Sequence, residues 1–225
     1  MAKRIIQWLF SVPGLRWRGR IKQFERDVYD HWADGIDRSV WASWCDHWVE
    51  SFSREIPESS GILDVGCGTG RALLILGERH PTLLAGIDIS PKAIHVAKDR
   101  LSGRNADLRV GDAETALPWP DRTFDAVTMT ATIHHFPHPE RVIGHAFRVL
   151  KPDGRLIIAD PSFFFPILQI ENLLLRVYPL NGDLRFFSRR GLRRLVERCG
   201  FQTDAQRRAA FLARYTVARK RGAEP

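Results

Sequence analysis

A glycine-rich segment constrains the fold of this chain more than any other feature. A short apolar run, Ile62–Val65, leads directly into glycines at positions 66, 68 and 70, and an amphipathic stretch begins near Arg71. Glycines between a buried strand and a helix let the backbone turn sharply and let a ligand approach with no Cβ in the way. The third glycine comes one position earlier than in the dinucleotide fingerprint, and Asp64 is a poor neighbour for a pyrophosphate. The segment therefore predicts a strand–loop–helix unit that suits a cationic ligand.

From about residue 60 to 160, short apolar runs alternate with amphipathic stretches, which is the pattern of a parallel sheet covered by helices. Runs this short and continuously apolar indicate strands that are buried on both faces. Ser90 and Pro91 predict the start of one helix, and Pro139 predicts the start of another over 139–150. Lys151–Gly154 is interpreted as a turn. The predicted central strands are Ile62–Val65, Leu83–Ile87, Leu108–Val110, Ala126–Met129 and Arg155–Ala159.

Outside this region, two further helices show apolar residues at helical spacing. Ser188 and Gly200 predict the start and the end of the second one. Phe201–Arg207 and Leu212–Ala218 follow it and predict an antiparallel pair of strands. We expect the first stripe to pack on the core and not to form an aromatic recognition cage. The stripes are Trp41, Trp44, Cys45, Trp48 and Phe52 in the first helix, and Leu192, Leu195, Val196 and Cys199 in the second.

The composition is that of an ordinary globular domain. Of the 225 residues, 44% are apolar and 27% are charged, which excludes disordered, collagen-like and disulfide-scaffold classes. No apolar run approaches the ~20 residues of a membrane-spanning helix, and we expect no secretory signal, because Ile5–Phe10 is interrupted by Gln7 and lacks a cleavage site. Three sparse cysteines with no CxxC spacing indicate reduced thiols in a cytoplasmic protein and no metal site.

The net charge of +8 is unevenly distributed. Residues 1–28 carry +5 and residues 185–225 carry +9, so that the middle of the chain carries −6. Basic ends on an acidic body suit a nucleic acid or an anionic membrane. Arginine occurs 28 times against six lysines, and ordinary solvated faces in an arginine-rich proteome would give the same pattern.

Carboxylates follow the second and third predicted strands. Asp88 lies eighteen residues beyond Gly70, where a carboxylate can accept hydrogen bonds from both ribose hydroxyls of an adenosine moiety. Asp112, in Gly111–Ala113, lies where a carboxylate could meet an adenine amino group. Together with Asp64, these residues predict a site for a positively charged nucleoside.

These residues resemble the class I S-adenosylmethionine-dependent methyltransferases, and most closely their small-molecule branch of ubiquinone, menaquinone and natural-product methyltransferases. The resemblance covers about 100 residues, and the motifs keep the family's order and spacing. It implies an α/β, Rossmann-like sheet of seven strands in the order 3-2-1-4-5-7-6, with strand 7 antiparallel. The matching segments are ILDVGCGTG (62–70), GIDIS (86–90), GDAETALPWPDRTFDAV (111–127) and RVLKPDGRLIIAD (148–160).

The resemblance also implies that S-adenosylmethionine is the cofactor. Asp64 would lie near its ammonium group, Asp88 would bind the ribose, and the loop glycines would line the methionine and ribose portions. An aromatic residue of the N-terminal segment would close over the cofactor, with Tyr29 as the candidate. The implied cofactor-binding residues are Tyr29, Asp64, Gly66, Cys67, Gly68, Gly70, Asp88, Ile89, Asp112, Ala113, Met129 and Thr130; Cys67 is interpreted as a small loop residue and not as a nucleophile.

Methyl transfer needs a base only when the acceptor must lose a proton, and holding the reactants at attack distance can supply much of the rate. His134 and His135 follow the fourth predicted strand and Asp160 ends the fifth, so an imidazole and a carboxylate could face one acceptor. The 26-residue separation of His134 from Asp160 resembles a sugar O-methyltransferase subgroup that uses a His/Asp pair. The alternative is that one histidine only shapes the pocket.

The predicted organisation is an N-terminal helical cap over residues 1–58 and a methyltransferase domain over 59–225. Within the domain, residues 162–187 contain 15 apolar residues in 26 and lie where the family builds its acceptor lid. We therefore predict methylation of oxygen or carbon in a small, largely apolar metabolite. The alternatives are a nucleic-acid methyltransferase or binder that uses Arg189, Arg190, Arg193 and Arg194, and, for the insert, a helix packed on the sheet edge. Residues 1–20 could contact an anionic membrane.

Overall fold

The computed structural model describes residues 17–33, 35, 37, 39–58, 60–79, 83–163, 167–177, 183–210 and 212–221. Within these residues, the strands form one sheet in the order β3-β2-β1-β4-β5-β7-β6. β7 runs antiparallel to both β5 and β6, and the other pairs are parallel. The predicted fold class is thereby confirmed. The strands are β1 (Ile62–Val65), β2 (Leu84–Asp88), β3 (Ala106–Val110), β4 (Phe124–Thr130), β5 (Leu150–Pro161), β6 (Phe201–Ala210) and β7 (Ala213–Lys220).

Serine side chains start several of the helices that cover the sheet. Ser90 and Ser188 each accept a hydrogen bond from the backbone N–H three residues later, as predicted. Ser39 caps its helix in the same way. The helix that carries Leu192, Leu195 and Val196 ends before Gly200, whose φ of 94° suits glycine. The helices are α1 (Trp17–Trp32), α2 (Val40–Ser53), α3 (Arg71–Arg79), α4 (Pro91–Arg100), α5 (Pro139–Val149), α6 (Ile167–Val177) and α7 (Arg189–Arg198).

The fifth strand is longer than predicted. β5 begins at Leu150, which pairs with Phe124, but the next pair joins Arg155 to Ala126. The segment interpreted as a turn, Lys151–Gly154, is therefore a bulge inside a continuous strand. Asp153 has a φ of 62° there, which is a conformation that asparagine and aspartate tolerate.

Helix α2 belongs to the core, although its stripe was predicted too wide. Trp48 and Phe52 are buried as expected, whereas Trp44 is 52% exposed. At 100° per residue, Trp44 lies about a quarter turn from the centre of the face formed by Cys45, Val49 and Phe52. The prediction is therefore wrong for Trp44, and the Trp41 side chain lies outside the described residues. None of the described helices combines the length and the apolarity that crossing a bilayer requires.

Candidate active site

A cavity of about 840 Å³ lies at the carboxyl ends of β1, β2 and β4. Ligands of open α/β sheets bind at this edge, where the strand order reverses. The loops that follow these strands form its floor, and side chains of α1 and α2 lie along its other side. The cavity therefore occupies the position at which the sequence predicts a cofactor.

The glycine loop adopts a backbone that other residues rarely adopt. Gly66, Gly68 and Gly70 all have positive φ, at 73°, 50° and 77°. A Cβ on Gly66 would lie 2.2 Å from Thr132 Oγ1, whereas a Cβ on Gly68 would meet nothing within 4 Å. The loop therefore packs tightly at residue 66 and leaves open space at residue 68, on the side of the cavity.

Asp64 is a buried carboxylate at the mouth of this loop. Its Oδ1 accepts a 2.7 Å hydrogen bond from Thr128 Oγ1. Burial raises the pKa of Asp64 to about 7, and the hydrogen bond from Thr128 opposes part of that rise. The side chain is thus ready to ionise when a positive charge approaches it.

Asp88 joins the loop to the end of β2. Its Oδ2 accepts a 2.8 Å hydrogen bond from the Gly68 N–H, and its Oδ1 accepts one of 2.9 Å from the Ser90 N–H. Burial raises the pKa of Asp88, although these two hydrogen bonds favour its charged form. The adjacent Ile89 also lines the cavity.

At the opposite end of the cavity, Asp112 is held by a residue of α1. Lys22 Nζ contacts the Asp112 carboxylate and lies 2.5 Å from Glu114 Oε2. Asp112 Oδ1 also accepts a hydrogen bond from the Glu114 N–H. Burial opposes ionisation of Asp112, but Lys22 and these hydrogen bonds lower its pKa overall. Ala113 lies beside it in the cavity wall.

The remaining predicted cofactor residues divide into two groups. Tyr29, Cys67 and Thr130 line the cavity, and burial raises the pKa of the Cys67 thiol well above its usual range, which fits a loop residue better than a nucleophile. Gly70 and Met129 do not line it. Met129 is fully buried in the core, because side chains alternate along β4, and a Cβ on Gly70 would face Ala97.

At the end of β4, a short 3₁₀ turn, Ile133–His135, brings two histidines to the cavity. His134 Nδ1 lies 2.8 Å from Asp160 Oδ1, and both side chains are only 4% exposed. Burial disfavours a charged His134, but Asp160 and Asp183 overcome this effect and raise its pKa to about 10. His134 is therefore an imidazolium at neutral pH in this arrangement. Asp160 does not line the cavity. Its contact with the cavity is indirect, because it holds the His134 ring.

His135 connects the same turn to α1. Its Nε2 lies 2.6 Å from the Tyr29 hydroxyl, and the two rings meet edge to face. Its Nδ1 lies 3.5 Å from Asp183 Oδ1. The structure therefore brings both histidines to one cavity, and it adds a contact between His135 and Tyr29 that the sequence analysis did not predict.

Asp183 and Lys22 are site residues that the sequence analysis missed. Asp183 belongs to the apolar insert and was hidden there, because only the apolar residues of that segment were considered. Its proximity to His134 depends on a long-range contact, since the Leu184 N–H donates to the His134 carbonyl. Spacing along the chain carries no signal for a contact of this kind.

The described residues of the insert cover part of the cavity beside His134. Phe186 lines the cavity and stacks near His134, at 5.1 Å between ring centroids. On α6, Leu168 and Leu175 are buried, whereas Ile170, Leu173 and Leu174 are more than half exposed. The described part of the insert thus combines features of the predicted lid and of a helix that packs only one face.

The basic residues of α7 lie away from this cavity. Arg193 pairs with Glu197 one helical turn later, and Arg189 contacts Gln206 on β6. Arg189, Arg190, Arg193 and Arg194 are exposed, which is the usual position of solvated charges on a helix.

The described residues fit S-adenosylmethionine. Its ammonium group requires an anionic partner, which Asp64 can supply, and its ribose hydroxyls can donate to Asp88. The open space at Gly68 leaves room for it to approach. Thr130 Oγ1 is buried in the cavity wall and, within the described part of the chain, has no hydrogen-bond partner. Such an atom is costly unless a ligand satisfies it.

Fold and site together define a class I methyltransferase scaffold, and the comparisons agree. Residues 63–158 match the family described as "Methyltransferase domain". The ubiquinone/menaquinone biosynthesis C-methyltransferase of Methylobacterium nodulans is 33% identical over 200 residues, which cover 83% of this chain and 78% of that protein. The chain belongs to the S-adenosylmethionine-dependent methyltransferase family, as the resemblance predicted.

Two further similarities are more limited. The demethylmenaquinone methyltransferase of Thermus thermophilus is 37% identical over 119 residues, and the alignment spans 52% of this chain and about half, 53%, of that relative. A putative methyltransferase solved in complex with the Haloferax volcanii Trm112 activator superposes with a TM-score of 0.73 at 19% identity, covering 86% of this chain and 98% of that one. The structural match supports the fold alone. None of these three names mentions a nucleic acid as the methyl acceptor.

Proposed function

We propose that this protein transfers the methyl group of S-adenosylmethionine to an oxygen or a carbon of a small, largely apolar metabolite. The observation that carries the proposal is a single cavity with carboxylates and a glycine loop at one end and His134, His135 and aromatic side chains at the other. When bound, S-adenosylmethionine supplies an electrophilic methyl group and a good leaving group. The residues of the chain have to bind it, orient the acceptor and exclude water.

The predicted cofactor residues take distinct parts in this proposal. Asp64 would face the ammonium group, Asp88 the ribose, and Asp112 with Ala113 the adenine. Tyr29 would close the cavity from α1. Gly66, Cys67, Gly68, Ile89 and Thr130 would line the site, while Gly70 and Met129 would shape the loop and the strand behind it.

At the acceptor end, we propose that His134 and His135 contact the acceptor and that Asp160 positions His134. A cationic group beside an acceptor hydroxyl lowers the pKa of that hydroxyl and stabilises the developing oxyanion. His134 supplies positive charge in this arrangement, so a base role, where one is needed, falls to His135. The apolar wall that includes Phe136 and Phe186 favours acceptors with a hydrophobic body, as the quinone named in the Methylobacterium nodulans relative suggests by analogy.

Calorimetry and a labelling assay test this function. The purified protein should bind S-adenosylhomocysteine, and Asp88→Ala should weaken that binding strongly. Asp99→Ala, at an exposed position of α4, should leave it unchanged. With methyl-labelled cofactor and cell extract, the label should enter the organic phase. Absence of binding, or label found only in protein or RNA, would refute the proposal.

Location, domain organisation and membrane contact belong to the same proposal. Cys45, Cys67 and Cys199 are free thiols, which supports a cytoplasmic location.

The apolar and basic side chains of residues 1–20 lie outside the described residues, and the sequence alone supports their contact with an anionic membrane surface. Co-sedimentation with anionic liposomes should fall when residues 1–16 are removed; unchanged binding contradicts this part. The 1–58 and 59–225 boundary stays a prediction.

A further inference from the structure

Three potential ligand atoms meet at the acceptor end of the cavity. His134 Nε2 lies 3.3 Å from Asp183 Oδ1, and His135 Nδ1 lies 3.5 Å from the same oxygen. All three ligand atoms lie within 4.8 Å of one another. An imidazole gives up its proton when it binds a metal ion, and two imidazoles with one carboxylate form a donor set that binds divalent first-row transition metals.

The spacing of these atoms suits an ion between them. Ligands that surround Zn²⁺ tetrahedrally, at roughly 2.0–2.1 Å, lie about 3.3–3.4 Å from one another. The two contacts with Asp183 match that edge length, whereas His134 makes a direct hydrogen bond of 2.8 Å on its other side, to Asp160. An ion between the three atoms would take the place of the ion pairs that Asp183 makes with both imidazoles.

Each imidazole is also oriented from its far side. Asp160 holds His134 Nδ1, so Nε2 faces the cluster. The Tyr29 hydroxyl holds His135 Nε2, so Nδ1 faces it. Metal-bound histidines characteristically have a carboxylate or another polar partner on the second nitrogen, because that partner fixes the orientation of the ring.

The cluster borders open space. His134, His135 and Asp183 all line the cavity, so an ion held by three protein ligands would keep a coordination position for another molecule. Three protein ligands with one open position are typical of catalytic metal sites and not of structural ones.

We propose that His134, His135 and Asp183 bind one divalent first-row transition-metal ion, such as Zn²⁺, with Asp160 and Tyr29 as positioning residues. The ion would contact an acceptor oxygen and lower its pKa, so in the metal-bound protein His134 and His135 would hold the ion in place of the cationic and base roles proposed above. This role rests on the proposed function, whereas binding of the ion does not. The sequence analysis predicted no metal site because the cysteines lack metal-ligand spacing, and this proposal departs from that prediction.

Titration with Co²⁺ tests the site without any methyl acceptor. Untagged full-length protein, first dialysed against a chelator, should develop visible d–d absorption that saturates at one Co²⁺ per chain, and Zn²⁺ should abolish it by competition. Asp183→Ala and His135→Ala should abolish the absorption. Asp160→Asn should weaken binding about ten- to hundredfold, and the exposed His95→Ala should leave it unchanged.

Two results would overturn the inference: wild-type protein that gives no absorption, or binding that survives both Asp183→Ala and His135→Ala. Binding of S-adenosylhomocysteine by the same preparations shows that the variants are folded. It also separates the two proposals. Protein that binds this nucleoside but no Co²⁺ refutes the metal site alone, and protein that binds Co²⁺ but no nucleoside refutes the proposed function alone.

Discussion

Thr128 Oγ1 donates a 2.7 Å hydrogen bond to Asp64 Oδ1 between neighbouring strands, and the two residues are direct partners in the parallel register of β1 and β4. The hydrogen bond fixes the orientation of a carboxylate that is almost fully buried. It does not compensate for burial, because the pKa of Asp64 still rises to about 7.

Binding of S-adenosylhomocysteine should therefore release a proton. Near pH 7, about half of the Asp64 side chains are protonated, and the ligand's ammonium group would favour the carboxylate. At that pH, the binding enthalpy should vary with the ionisation enthalpy of the buffer, and Asp64→Asn should remove this dependence while keeping the bond from Thr128. Equal buffer dependence in both proteins would contradict the assignment of Asp64.

Gly66→Ala should destabilise the fold more than Gly68→Ala does. Both substitutions place a Cβ at positive φ, which costs roughly 1–2 kcal/mol. Only the first also places the Cβ 2.2 Å from Thr132 Oγ1. Chemical denaturation would measure both free energies of unfolding, and equal losses would show that the loop relaxes away from Thr132.

In metal-free protein, the pair formed by His134 and Asp160 should make stability depend on pH. The pKa of His134 is raised above its unfolded value of 6.5 to about 10, so the stabilisation is fully present below about pH 6.5 and is lost as the pH rises through about 10. Asp160→Asn should cost on the order of a few kcal/mol at neutral pH, and less in alkali. Denaturation of both proteins across this range is the measurement. The exposed Asp99→Asn is the control. A difference in the free energy of unfolding between wild type and Asp160→Asn that does not vary with pH would contradict the pairing.

Lys22→Gln should speed the dissociation of S-adenosylhomocysteine. Lys22 joins α1 to Asp112 and Glu114 at the end of the cavity where the adenine is proposed to bind. Because Lys22 is only one-quarter exposed, we expect an effect of about two- to fivefold on the dissociation rate. Gln23→Ala, on the exposed face of the same helix, should have no effect. Stopped-flow displacement would measure both, and identical rates would show that this contact does not retain the ligand.

Most of the fold could be predicted because local signals and global topology agree. Ser90 and Ser188 cap helices, continuous apolar runs mark buried strands, and the glycine loop adopts the positive φ values that only glycine adopts readily. The prediction was wrong for Trp44 and for the start of β5. Spacing does not show where a buried helical face is centred, and a bulge such as Lys151–Gly154 has the same local signal as a turn.

The site could be predicted where its residues follow strands. His134 and Asp160 end neighbouring strands, so the topology brings them together. Asp183 and Lys22 come from segments outside the sheet, and their positions depend on side-chain contacts across the cavity. No periodicity in the sequence encodes such contacts.

Helix α1 contacts the body of the protein along the whole cavity. Lys22 reaches Asp112, Arg26 donates to the Ile89 carbonyl, Asp30 contacts Ser90, and Tyr29 contacts His135. One helix therefore spans both ends of the cavity, where the nucleoside and the methyl acceptor are proposed to bind. If α1 shifts to release the proposed nucleoside, the ring of Tyr29 beside His135 would shift with it, so departure of the cofactor product would be mechanically linked to how the acceptor is held.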